Sequence, residues 1–510
     1  MKLFKYTKFF LIGALIMAAN QSCTDLEPEV FGEVLADNFY ETEEEIISAM
    51  GDAYTKLYAF MNHGNYFSIQ EVPSDEAAIP QRGTDWFDGG QWLRVHRHQY
   101  TPGEPVVDGV WNTCYGGVNA CNRVISVMEG RDGLEPFISE LRALRALYYY
   151  FLLDLYGNVP IIDTYDVPED FRPANADRQE VFNFIESEIQ AVIEDLPKTV
   201  DGSTYGRIHY YVAQTILAKL YLNAEVYTGT DRLDDAIAAA DEVINSNIYS
   251  LESSYFNNFA TENSGSTENI FVIPYDQVFA TGFNLHHMTL HYESQKTFDF
   301  QEQPWNGYCS LQEFYNSFEE DDERITGGAR GYGVLLTGTQ RAADGTVLVD
   351  PGYDGDPDGE ELVFTPEINE LEPGCFRQAG ARLSKYEYAQ GATADLSNDF
   401  PMFRYADVLL MKAEALWRQN SGSADALALV NQIRERAGVE PFTELNADNL
   451  LAERGREMCF EAHRRTDLIR FDRYNDSWWE KPASDATKNI FPIPEGQINA
   501  NPNLRQNPGY

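Results

Sequence analysis

Positive charge is what this sequence has least of. Its 38 Lys and Arg stand against 81 Asp and Glu, a formal net charge of −43 over 510 residues. A chain this acidic is a poor binder of nucleic acid, whose phosphates demand a basic surface. It is equally ill suited to lying flat on anionic lipid. An uncharged or weakly charged ligand fits it better, although solubility alone accounts for most surface acidity. Cysteine is also scarce, six in all. Beyond Cys23 they are Cys114, Cys121, Cys309, Cys375 and Cys459, an odd set that leaves at least one thiol free in an exported chain. Cys114 and Cys121 lie two helical turns apart in WNTCYGGVNACNRVI, about 10.5 Å at 1.5 Å per residue, which is beyond disulfide reach. They read as buried thiols. CxxC metal pairs, a GxSxG nucleophile elbow, a Walker loop and a dinucleotide fingerprint are all missing.

Long apolar runs are missing too, save one at the start. Lys2, Lys5 and Lys8 precede an apolar stretch from Phe9 to Ala19. That stretch is too short to span a bilayer, which takes about 20 residues, and has the length of a signal-peptide core. Small Ser22 then precedes Cys23, as expected where a cysteine is lipidated and the chain is cut before it. Asn20 and Gln21 depart from a strict lipobox. Two or three acyl chains at about 0.8 kcal/mol per buried methylene would hold the chain on a membrane.

After Cys23 the chain is helix-rich at both flanks and irregular in the middle. The fold class is mainly all-α, a scaffold of tetratricopeptide-like helix pairs with a loop-rich subdomain containing a few short strands. We divide the chain into a leader (1–22), a helical part (23–248), a loop-rich part (249–400) and C-terminal helical pairs (401–510). Asp177 and Glu180 form a capping box in sequence, followed by Val181, Ile185, Ile189, Val192 and Leu196 on one face. Before them runs LRALRALYYYFLLDLYGNVP, with Leu144, Tyr148, Phe151 and Leu155 on one stripe. LDDAIAAADEVI places Ile237, Ala240 and Ile244 together. LLAERGREMCFEAHRRTDLIRF reads as a last helix, where Glu453, Arg456, Glu457, Glu461 and Arg464 are spaced for ion pairs along it. Between Tyr249 and Phe400 no long helical period appears, and loops on a rigid scaffold are where binding residues usually sit.

RALRALYYYFLLDLYGNVP, FRYADVLLMKAEAL, ALVNQIRERAG, LLAERGREMCFEAHRRTDLIRF and the terminal IFPIPEGQINANPNLRQNPGY resemble, in order, the SusD/RagB family. With the leader and SDEAAIPQRGTDW, the resemblance covers nearly the whole chain after Cys23. It implies a cell-surface lipoprotein of the outer membrane that captures glycan without cleaving it. It also implies four tetratricopeptide-like pairs, a glycan site on the loop-rich face, and a SusC-like TonB-dependent transporter as partner. The alternatives are a peptide-binding component of a similar importer and, further off, a glycoside hydrolase. A hydrolase needs two carboxylates at a defined separation, but among 81 acidic residues such a pair signifies little.

Sugars stack their C–H faces on aromatic rings while amides, carboxylates and guanidinium groups bond the hydroxyls. SDEAAIPQRGTDWFDGGQW supplies Asp75, Arg82, Asp85, Trp86 and Trp92 without helical period. QEQPWNGYCS supplies Trp305, Asn306 and Tyr308, with Tyr292 shortly before. These are the candidate ligand residues; the plainer reading is that the aromatics pack loops onto helices. Asp354, Asp356 and Asp358 with Gly359 resemble the opening of a calcium loop, but Thr365 stands where the bidentate Glu belongs, so a solvated acidic turn is the better reading. His287 and His291 have the four-residue spacing of a metal pair, without the glutamate of an HExxH.

Overall fold

Apolar residues recurring at three and four become packed helices in the computed structural model, which describes residues 42–352 and 360–510. The leader, Cys23 and the Asp354, Asp356 and Asp358 run lie outside the described residues. The chain divides into two compact units, Met1–Ser48 and Ala49–Tyr510. The first contributes only the opening of helix α1 (Glu43–Thr55) to the description. The second carries all the other elements, and within it the loop-rich middle packs together with the helices.

The helices stack in sequence. Helix α2 (Pro105–Met128) packs on α3 (Glu135–Tyr156), and α3 on α4 (Arg178–Val192). The YYYF helix α3 is buried on every side from Ala143 to Tyr156 rather than along one stripe, as befits a helix apolar all round. Gly117 of α2 allows this closeness, because a Cβ there would lie 2.2 Å from the Tyr148 ring. The capping box of α4 forms as the sequence indicates, with Asp177 accepting from the Glu180 amide at 2.8 Å and Glu180 accepting in return.

Next come α5 (Tyr210–Leu222) and α6 (Leu233–Ile244), packed on each other. On α6 the most buried face is Ala236, Ala239, Ala240 and Val243, with Ile237 only half-buried. The small alanines let the axes approach, a preference that apolar periodicity alone does not reveal. Helix α7 (Tyr405–Gln419) then packs on α6, and α8 (Ala424–Arg436) on α7. The stack is therefore continuous across the whole loop-rich stretch, which is an insertion between α6 and α7. Antiparallel strands Asn269–Ile273 and Phe400–Arg404 close its base, pairing Phe400 with Ile273 and Arg404 with Asn269.

The last segment differs from the expected single helix. Helix α9 (Ala447–Met458) stops before Cys459, and a short helix resumes at Arg464–Arg470. Between them Phe460 (φ 57°) and Ala462 (φ 63°) take left-handed conformations. The charged side chains pair chiefly across the fold instead of along the helix. Arg404 bonds Glu268 (2.5 Å), Glu457 (2.7 Å) and Glu461 (2.7 Å), all fully buried. Arg324 reaches Glu453 at 2.8 Å and Glu457 at 3.1 Å. Burial pushes the Glu453 carboxyl up, but Arg324, Arg456 and Arg434 outweigh it and hold it at about 2. Within the segment Glu453–Arg456 is the expected i, i+3 pair, at 2.6 Å. The five cysteines after Cys23 are buried, as expected.

Candidate ligand pocket

Two segments more than 200 residues apart are brought together by four residues of backbone. Ala77–Ala78 pairs antiparallel with Cys309–Ser310, Ala77 opposite Ser310 and Ala78 opposite Cys309. The loops leading from these strands then meet. Arg82 and Asp85 exchange two backbone bonds of 3.1 Å, closing a tight turn with Gly83 at φ 65°. From that turn Asp85 and Trp86 project. The partner loop is pinned to the C-terminal end of the short helix Leu285–Thr289, whose carbonyls have no helical partner. Trp305 N–H donates to the His287 carbonyl (2.7 Å) and Gly307 N–H to that of Met288 (2.8 Å).

Between the loops lies a depression of about 510 Å³, lined by His63, Thr84, Asp85, Trp86, Asp88, Tyr292, Gln303, Pro304 and Trp305. Both indoles are half-buried. The Trp86 Nε1–H donates to the Trp305 carbonyl at 2.7 Å, locking one aromatic onto the other's backbone. His63 stands edge-on to both, 5.9 Å from Trp86 and 5.7 Å from Trp305 between ring centres. Desolvation by burial lowers its pKa below the ordinary value, partly opposed by the Asp88 charge. The Tyr292 hydroxyl donates to Asp85, and the Trp92 indole N–H donates to Asp88 at 2.8 Å.

Three of the ten left-handed non-glycine residues among the described residues lie in these loops. Trp86 (φ 60°), Asp88 (φ 43°) and Asn306 (φ 57°) are all left-handed without being glycine. Such residues cost about 1–3 kcal/mol each and cluster at functional sites. Gly307 is required for a different reason: a Cβ there would stand 2.3 Å from the Trp86 ring.

Of the residues expected from sequence, the structure gathers Trp86, Tyr292 and Trp305 in one pocket, with Asp85 beside them. Four others do not line it as expected, because the fold buries their side chains. Trp92 is fully buried and holds Asp88 from behind. Tyr308 is also fully buried, with its ring 5.7 Å from Trp86 and its hydroxyl bonded to Ser68 at 2.5 Å. Asn306 is buried and donates to the Arg377 carbonyl at 3.1 Å. Arg82 turns inward to the carbonyls of Phe376 and Ala379, anchoring the turn that carries Asp85. Asp75 lies outside this pocket and pairs with Arg464 at 2.6 Å. His291 faces Asp350 at 3.3 Å, while burial lowers the His287 imidazole to about 4.

Sequence reading missed His63, Thr84, Asp88, Gln303 and Pro304. Four of them neighbour a tryptophan in TDWFD or QEQPW, so extending each candidate by two or three residues would have included them. His63 has no such signal, because only the fold brings NHGN beneath the two indoles.

Comparison with known proteins agrees with this architecture. Residues 378–484 match the SusD family, and residues 33–222 match the family described as starch-binding, associating with outer membrane. The starch-binding protein SusD of Bacteroides thetaiotaomicron is 26% identical over 494 residues, covering 87% of this chain and 85% of its own. A SusD superfamily protein from Parabacteroides distasonis superposes with a TM-score of 0.73 at 22% identity, covering 92% of this chain and 99% of that one. Surface glycan-binding protein A from Bacteroides thetaiotaomicron, solved in complex with laminarihexaose, gives 0.70 at 23% identity, with 91% and 99% covered. With both flanks matched by sequence and the helical stack matched in space, this chain is a SusD-like protein.

Proposed function

We propose that the protein captures glycan in the pocket between Trp86 and Trp305, without cleaving it, and passes it to a SusC-like TonB-dependent transporter. The carrying observation is two half-buried indoles fixed at a cleft with carboxylates, an amide and a hydroxyl at its rim. Rings supply stacking faces and the polar rim bonds hydroxyls, as a sugar requires. Relatives described as starch-binding and as bound to laminarihexaose support the same reading. Lipidation at Cys23 would tether the protein to the outer membrane, with the pocket serving ligand outside the cell.

The test is affinity electrophoresis and calorimetry with starch and laminarin, using the wild type and Trp305→Ala. Binding by the wild type and its loss at an unchanged melting temperature are expected. New reducing ends that disappear in Asp85→Asn or Asp88→Asn would identify a hydrolase instead. Binding of a peptide mixture in place of both polymers would favour peptide import. Gentle detergent extraction is expected to recover a barrel partner.

A further inference from the structure

We propose that this pocket takes uncharged polysaccharide and rejects polymers bearing uronate or sulfate. The inference rests on the glycan reading above and names its substrate class. It comes from the lining itself, not from the acidity of the whole chain.

Two carboxylates, Asp85 and Asp88, face the cleft, and no Lys or Arg lines it among the described residues. Each carboxylate is held from behind by a ring donor. The Tyr292 hydroxyl bonds Asp85, and the buried Trp92 indole bonds Asp88 at 2.8 Å. Neither can swing aside easily when an anionic group arrives. A carboxylate accepts several hydrogen bonds and donates none, so these two groups match the hydroxyl donors of a neutral sugar. The same two groups repel an acceptor-only carboxylate or sulfate.

The nearby cations, Arg377 and the buried Arg82 that turns inward to the Phe376 and Ala379 carbonyls, do not reverse this. Arg377 lies over the Tyr292 ring at 5.2 Å, but its Nη1 is occupied by the Gly352 carbonyl at 2.5 Å and stands 4.0 Å from Asp350. Burial lowers the His63 pKa, which disfavours a positive charge on that ring. The remaining donors at the rim, Thr84 and Gln303, are uncharged.

Repulsion by the whole acidic surface would fade with salt, since the Debye length falls to about 3 Å at 1 M. Repulsion from two fixed carboxylates in contact with the ligand persists. That difference gives the experiment. The full chain is titrated with laminarin and sulfated laminarin, with starch and carboxymethyl starch, and with polygalacturonate, at 50 mM and 500 mM NaCl (about 14 Å and 4 Å of screening). We expect at least one neutral polymer to bind, and its anionic derivative to bind at least tenfold weaker at both salt concentrations. Asp88→Asn and Asp85→Asn are expected to narrow that ratio at least threefold, which separates charge from the bulk of the substituent. Anionic polymer bound as tightly as neutral, through a site that Trp305→Ala abolishes, overturns the proposal. So does a ratio that both Asn variants leave unchanged. Failure of every polymer to bind refutes the glycan reading, and the charge preference falls with it.

Discussion

Gly307→Ala is expected to weaken ligand binding without replacing any residue that lines the pocket. An added Cβ would lie 2.3, 2.5 and 2.8 Å from Cε2, Cζ2 and Cδ2 of Trp86. Carbon atoms pack at about 3.5–4.0 Å, so the indole must retreat by roughly 1 Å. Its Nε1–H now reaches the Trp305 carbonyl at 2.7 Å, and a shift of that size breaks the bond, a loss of about 0.5–1.5 kcal/mol. Gly307 is not among the left-handed glycines, so alanine brings no backbone strain of its own. The platform, moved off Trp305, should lose roughly fivefold to thirtyfold in affinity, about 1–2 kcal/mol. Calorimetry with whichever of starch and laminarin the wild type binds reads the loss, and thermal unfolding reads stability. Gly116→Ala is the control: that glycine lies inside α2 with nothing within 4 Å of the new Cβ, so stability should rise by about 0.5–1 kcal/mol with binding unchanged. Wild-type affinity in Gly307→Ala would refute the role assigned to the Trp86 ring.

Four further outcomes are expected. Phe151→Ala in the buried α3 should cost about 3–5 kcal/mol in urea unfolding, since Phe151 is 1% exposed and packed against Phe60 and Tyr66. Arg404→Met should cost about 3–5 kcal/mol in the same assay, because it removes the buried cation shared by Glu268, Glu457 and Glu461 and leaves them only Arg436, Arg324 and Lys385. Burial raises the Glu71 carboxyl to about 7, beside Glu76, which is raised well above its ordinary value. A raised acid favours the folded state at low pH, so this contribution is lost as pH rises from about 4.5 through 7; Glu71→Gln should flatten that part of the pH–stability curve, and an unchanged slope would contradict it. Mass spectrometry of membrane-extracted protein should find an acylated Cys23 as the first residue; a mature start elsewhere would contradict the lipid anchor.

Much of the scaffold was legible in the sequence. Capping residues and three- and four-residue periodicity act through bonds within one helix, so α3 and α4 could be read from LRALRALYYYFLLDLY and from Asp177 with Glu180. The order of family-like blocks carried the fold class and the loop-rich middle. Periodicity was weaker where burial depends on neighbours. It marked Ile237 on α6, whereas the packed face is alanine, and it ran one helix through Phe460 and Ala462, where tertiary bonds hold left-handed residues.

The pocket divides along the same line. Aromatics in Gly- and Pro-rich loops pointed to Trp86, Tyr292 and Trp305, because residue type and local context already mark such positions. Sequence could not separate these from Trp92 and Tyr308, which have the same chemistry and the same loop surroundings. That choice was made by the tertiary fold, which leaves Trp86 half-buried in the loop after Ala77–Ala78 and buries Trp92 on the short helix Gln91–His96. It also turned Arg82 inward as an anchor and placed His63 beside two tryptophans from distant loops. Composition and spacing thus determined what kinds of groups were on hand. Which of them meet solvent, and which only hold the others in place, depended on contacts between residues more than 200 positions apart, and no local pattern encodes those.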